Sequence, residues 1–270
     1  MKFFHHLLIA LFLFSTNFFA QSDNEDYTLE EIIVTAQKTE KSLQDVPIAV
    51  SALSADDLAL RQAVRFTDLQ LNVPNLSYSE TNFGGSSVSI RGIGRLATGI
   101  SFDQSVTTHI NESPWGENTN VATMFDMDRV EVLRGPQGTL FGRGTTAGLV
   151  NLVTKRPSVD SGVEGYAGFT TGEYDLQVFE GAVNIPLDDN FAVRAAYTQT
   201  ERDGFTENLY APVGGTFDGR EHYVGRISLR YDTGNTVIDY MYQEHEEEST
   251  RTLRTNYVCT PSANIARGCT

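Results

Sequence analysis

The sequence predicts a chain in two parts, an α+β domain followed by the first antiparallel strands of an incomplete transmembrane β-barrel. Three features point to this. Residues 129–155 hold a strand, a glycine-rich turn and a second strand, and residues 54–71 carry helix-start signals. After Lys155-Arg156-Pro157 the pattern changes to strict alternation of apolar and polar residues. Mixed periodicity before that point and a period of two after it mark two kinds of packing in one chain.

The chain opens with an export signal. Lys2 supplies the positive end, residues 7–14 the apolar run and residues 15–20 a more polar exit. Ala20 fits the small-residue rule for cleavage, although Phe18 does not. Residues 1–20 are therefore assigned to a signal peptide, with the mature chain beginning at Gln21. The apolar run is shorter than the ~20 residues that a membrane-spanning helix needs. The formal net charge is −15, and losing Lys2 makes it −16. Such a balance argues against nucleic-acid partners and for solubility after export.

Residues 22–31 carry Asp23, Glu25, Asp26, Glu30 and Glu31 without a base, so a disordered leader is expected. Into it runs Ile32-Ile33-Val34-Thr35-Ala36, strongly strand-forming and with no partner nearby. It is either a first strand of the following domain or an extended peptide that adds to another protein's sheet. Next, Ser54 is placed to cap a helix over residues 54–65, with Asp56 and Asp57 in its first turn. A second short helix is expected over residues 66–71, before Val73-Pro74-Asn75-Leu76. Ser89-Ile90-Arg91-Gly92-Ile93-Gly94 lacks the third glycine and the βαβ context of a dinucleotide site.

In residues 129–134, Val130, Val132 and Leu133 flank charged Arg129, Glu131 and Arg134, a strand with one apolar and one ionic side. Gly135-Pro136 ends it, and Gly138, Gly142, Gly144 and Gly148 let the loop fold tightly before a return strand. Taken alone, this is an ordinary hairpin. With its neighbours it resembles the core signature of the plug domain in TonB-dependent outer-membrane receptors, carried by Glu131, Gly135, Pro136, Gly138, Gly142, Arg143 and Gly148. The order of segments also matches that family: an extended peptide, Asp45-Val46-Pro47, a helix, Val73-Pro74-Asn75-Leu76, then Ser89–Gly94 ahead of a substrate-facing loop.

The resemblance implies a leader over residues 21–43 in which Ile32, Ile33, Val34, Thr35 and Ala36 form the TonB box, a plug over 44–161, and a barrel start over 162–270. It also implies that Arg91 and Arg134 present guanidinium groups to glutamates on the barrel wall, where bidentate pairing fixes orientation without apolar glue. Those glutamates would lie in strands this chain does not contain. One departure is visible: where the family pattern has Asp-Gly in a turn, residues 111–112 are Asn-Glu.

In the second part, Phe191, Val193, Ala195 and Tyr197 alternate with Ala192, Arg194, Ala196 and Thr198, and residues 223–231 and 238–243 alternate likewise. A lipid-facing side and a charge-tolerant side suit a barrel, and connections that alternate short and long favour it over a soluble sandwich. The roughly 110 residues after Gly162 allow about five strands, against at least roughly 220 residues for a barrel of about 22 strands. An open edge in hydrocarbon leaves backbone groups unpaired, so the chain is expected to be the N-terminal part of a longer receptor.

Tyr78, Arg95, His109, Trp115 and Asn118 are candidate ligand contacts, as polar and aromatic residues on expected loops. Cys259 and Cys269 are expected to pair after export. No metal-ligand spacing, cofactor motif, nucleophile elbow or P-loop lysine is present, so neither a cofactor nor an enzymatic activity is expected. The function implied is TonB-dependent import of a scarce ligand across the outer membrane of a Gram-negative bacterium. Its partners are TonB, membrane lipid and a small ligand. A ferric siderophore is the family default; oligosaccharide, cobalamin and haem are alternatives, and a passive porin or surface-binding barrel is the competing reading.

Overall fold

The computed structural model describes residues 32–35, 38–39, 41–80, 86–94, 104–115, 124–207 and 215–250. The signal peptide, the acidic leader, Ala36, Arg95, Asn118 and both cysteines lie outside the described residues.

Strand β1 (Ile33–Val34) pairs antiparallel with β2 (Lys41–Ser42). After β3 (Ala49–Ser54), the Ser54 hydroxyl accepts the Asp57 N–H at 3.1 Å while the Asp57 carboxylate accepts the Ser54 N–H at 3.3 Å. This reciprocal cap starts helix α1 (Ala55–Leu60) where the sequence placed it. The helix stops earlier than residue 65. Gln62 takes a φ of +50° and the Ala63 N–H returns to the Leu58 carbonyl at 2.9 Å, so Ala63 and Phe66 turn into the core instead of extending the helix. A 3-10 turn (Phe66–Asp68) then leads into α2 (Leu69–Asn72).

Three short strands, β4 (Leu76–Glu80), β5 (Ser86–Ile90) and β6 (Ile93–Gly94), form a side sheet. The main sheet is built from β7 (Val106–Ile110), β8 (Ser113–Pro114), β9 (Met127–Arg134) and β10 (Gly148–Thr154), with helix α3 (Gly138–Phe141) in the glycine-rich loop. Its order is β3-β9-β10-β7-β8, with β10 antiparallel to β9 and parallel to β7.

The period of two divides this sheet into two faces. Val130, Val132, Val150 and Leu152 join Leu53, Phe66 and Leu69 in the larger core. Leu133 and Leu149 join Val34, Val46 and Phe141 on the opposite face. Charge lies on that second face too: Ala52, Glu131, Asn151 and His109 stand in one cross-strand row. Gly142 has a φ of +84°, open to glycine at little cost, and it accepts the Thr145 hydroxyl at 2.7 Å to close the loop. A Cβ on Gly148 would lie 2.3 Å from the Leu133 carbonyl oxygen and 2.6 Å from Ile90 Cδ1, so only glycine lets these strands meet.

The second part is an antiparallel meander of five strands among the described residues. These are β11 (Glu164–Gly172), β12 (Leu176–Pro186), β13 (Phe191–Arg202), β16 (Arg220–Asp232) and β17 (Val237–Glu247). The intervening β14 (Thr206–Glu207) and β15 (Thr216–Phe217) make a hairpin within the long β13–β16 connection. Residues 187–190 and 233–236 are short turns at one end, as expected. At the other end the β11–β12 connection is also short, because Tyr174 and Asp175 both take positive φ and reverse the chain at once. One face of the meander, including Ala192, Arg194, Ala196, Val224 and Arg226, is buried; Phe169, Tyr197, Ile227 and Tyr240 on the other are exposed. Polar groups thus point inward and aromatic groups outward, the barrel polarity that the alternation predicted.

Candidate functional site

The Ile32–Thr35 segment lies on the second face of the main sheet. Val34 is 0 % exposed and joins Leu133, Leu149 and Phe141, while neighbouring Ile33 is 49 % exposed. Strand alternation alone produces this split. Thr35 is held by Glu131: its N–H donates to Oε1 at 2.8 Å and its hydroxyl lies 3.2 Å from the same oxygen. Arg129 Nε also donates to Glu131 Oε1, at 2.8 Å, and Asn151 Nδ2 donates to Oε2 at 3.3 Å. The Ile32 carbonyl accepts the Leu43 N–H at 2.9 Å, and Lys38 Nζ lies 5.5 Å from the Phe141 ring centroid.

His109 completes the same row, buried beside Phe141 at 5.6 Å between ring centroids. The Glu112 carbonyl, 3.0 Å from Nδ1, can only accept, so Nδ1 carries the proton and Nε2 accepts from the Thr107 hydroxyl at 3.3 Å. Burial holds the imidazole pKa below its ordinary value; the bond to Glu112 opposes that shift and the Lys38 charge adds to it. A depressed pKa means the folded state favours the neutral ring, so its stabilisation is complete above the unfolded value of 6.5 and is lost as pH falls below it. Denaturation midpoints should therefore drop between about pH 7.5 and about pH 5.5, and less so in His109→Gln.

The turn at Asn111-Glu112 is formed with φ of +48° and +67°. Asn tolerates this conformation through its short amide, which donates to Thr154 Oγ1 at 2.9 Å; Glu112 has no such excuse, yet its N–H donates to Asn151 Oδ1 at 3.0 Å. Glu112→Gly keeps that N–H and removes the Cβ conflict. It should raise stability by about 1 kcal/mol in equilibrium denaturation.

Arg91 is exposed with a φ of +55°, and Arg134 is half-buried at the end of β9 with its Nε lacking an acceptor. Neither forms an ion pair among the described residues. The first part is instead tied to the meander by a pair of opposite polarity. Asp126 faces Arg194 on β13 through both carboxylate oxygens, with Nε–Oδ2 at 2.9 Å and Nη2 on Oδ1. Arg226 on β16 donates to the Asp126 carbonyl at 3.4 Å and lies 4.7 Å from the Phe125 ring centroid. Sequence reasoning missed this contact. The signal was two arginines, Arg194 and Arg226, both on the face otherwise marked as inward.

The candidate ligand contacts need correction in place. Tyr78 is not on a loop: it lies in β4, buried with its ring 5.1 Å from that of Phe66. His109 is likewise a strand residue, enclosed by the sheet. Trp115 is half-buried, packed on the larger core, and its backbone N–H donates to the Thr108 carbonyl at 2.8 Å. Tyr78 and Trp115 pack on the larger core, whereas His109 lies on the opposite face of the sheet beside Phe141.

A folded domain seated on the inward, polar face of a meander whose aromatic face is bare defines a plug-and-wall protein of the barrel class. Residues 42–149 match the family model described as the TonB-dependent receptor plug domain, and this part of the chain belongs to that family. The chain is similar to the pesticin receptor of Yersinia pestis, 25 % identical over 215 residues, which cover 78 % of this chain and 31 % of that receptor. It is 30 % identical over 202 residues to an iron-regulated outer membrane virulence protein of Vibrio cholerae, covering 71 % of this chain and 30 % of that protein. The crystal structure of the ferric yersiniabactin uptake receptor of Yersinia pestis superposes with a TM-score of 0.66 at 23 % identity, over 73 % of this chain and 31 % of that one. The chain thus spans about a third of the length of the curated relatives it matches.

Proposed function

We propose that this chain is the plug and first wall strands of an exported, energy-coupled importer of the bacterial outer membrane. The ligand is a ferric siderophore, and residues Ile32, Ile33, Val34, Thr35 and Ala36 are the contact for TonB. The observation that carries the reading is a strand-forming segment laid against one face of a folded plug, with Ile33 turned outward while Val34 and Thr35 are buried beneath it. Such a segment can add to a partner's sheet through its main chain, and a row of hydrogen bonds loaded together suits a pulling contact. A relative named for iron regulation supports an iron chelate, while relatives named a hemin receptor and a vitamin B12 transporter keep haem and cobalamin as the alternatives. Arg91 and Arg134 remain assigned to carboxylates on the wall, the buried Nε of Arg134 being the group with most need of one.

Deleting residues 32–36 from the receptor tests this. With radiolabelled iron in a panel of chelates headed by ferric yersiniabactin, uptake should be abolished while binding to whole cells persists. Uptake that survives the deletion would mean a passive barrel and would overturn the proposal.

A further inference from the structure

Glu131 sits at the centre of the main sheet, 0 % exposed, where a carboxylate is costly unless donors saturate it. It is saturated, but in an unusual division. Arg129 and Asn151 supply donors from the sheet, whereas the Thr35 N–H and hydroxyl supply them from the N-terminal segment. Lifting that segment would strip the buried acid of a 2.8 Å main-chain donor. Asn151 is engaged at both ends of its amide. Its nitrogen donates to Glu131 while its oxygen accepts the Glu112 N–H, and the adjoining Asn111 amide is 2.9 Å from Thr154 Oγ1 and 3.5 Å from Met241 Sδ on β17. A continuous polar chain therefore runs from Thr35 through Glu131, Asn151 and the 111–112 turn to the barrel wall.

Resting on the reading of residues 32–36 as the TonB contact, we propose that Glu131 is the catch that holds this segment docked. Asn151 is the positioning residue that links the catch to the turn abutting β17. A shift of the wall or the turn that withdraws Asn151 leaves Glu131 short of a donor and weakens its hold on Thr35. The wall thereby regulates how readily the segment is offered.

The test uses Val34→Cys in the receptor in outer-membrane vesicles, with Cys259 and Cys269 replaced by serine, and a maleimide label. Val34 is buried, so labelling reports release of the segment. Glu131→Gln should speed labelling about tenfold or more, because bonds to a charged acceptor are lost with little change of shape; Asn151→Leu should speed it in the same direction. Val132→Ala, on the opposite face of the same strand, should leave the rate unchanged. If Glu131→Gln fails to assemble, Thr35→Val, which removes one donor and leaves Glu131 in place, should also speed labelling. Equal rates in parent and Glu131→Gln, or an equal rise in Val132→Ala, would overturn the catch. Capture of the purified periplasmic domain of TonB is measured alongside. Faster labelling without capture would leave the catch standing and remove the coupling role, whereas capture without faster labelling would remove the catch alone.

Discussion

Replacing Asp126 by alanine is expected to lower the stability of the plug-to-wall unit by about 3–5 kcal/mol, the range for breaking one side of a buried ion pair. The side chains of Arg194 and Asp126 are 6 % and 1 % exposed, so almost no solvent screens them. Removing the carboxylate leaves the Arg194 guanidinium buried on the inward face without its paired acceptor, with only the weaker influence of Tyr166 and Glu164 to offset its desolvation. The loss arises mostly from that stranded cation rather than from the attraction given up. Asp126→Ala combined with Arg194→Met should therefore recover most of the stability. Equilibrium denaturation of the receptor in detergent reads both variants, and a single-mutant loss below about 1 kcal/mol would mean that water or another acid reaches Arg194.

Leu133→Ala should cost about 2–5 kcal/mol by the same measurement. Leu133 is fully buried between Val50 and Leu149 in the neighbouring strands, with Val34, Val46 and Phe141 in the same cluster. Backbone pairing on both sides prevents the strand from collapsing into the space, so a cavity adds to the lost transfer energy. Val34 would lose one of its supports, so proteolysis near residues 32–35 should quicken more than global unfolding accounts for. A cost below about 1 kcal/mol would show that Phe141 swings in to fill the gap.

Much of this was legible in the residues. The alternation in residues 191–198 gave a strand and its faces, because side chains of a strand have nowhere else to point. Residues 129–134 gave the strand but not the expected ionic side, since Leu133 shares the face of Glu131 in a second apolar core. Ser54 and Asp57 announced a helix start through a contact three residues long, but its end depended on Ala63 and Phe66 finding a distant core. Tyr78 and His109 misled for the same reason. Both were expected on loops as polar and aromatic residues, whereas the parallel pairing of β7 with β10, which encloses His109, joins segments some forty residues apart. The Asp126–Arg194 pair spans 68 positions, and no local pattern reports such a partner.

The sheet order carries a mechanical consequence. Strand β3 lies on the margin and is stitched to β9 alone, whereas β10 lies between two partners and runs directly on toward the wall. Tension applied ahead of residue 32 meets the two-residue β1–β2 pairing and then this border strand before any interior one. On the proposed reading, a tug from the amino end frays the cork from its rim while its root stays moored.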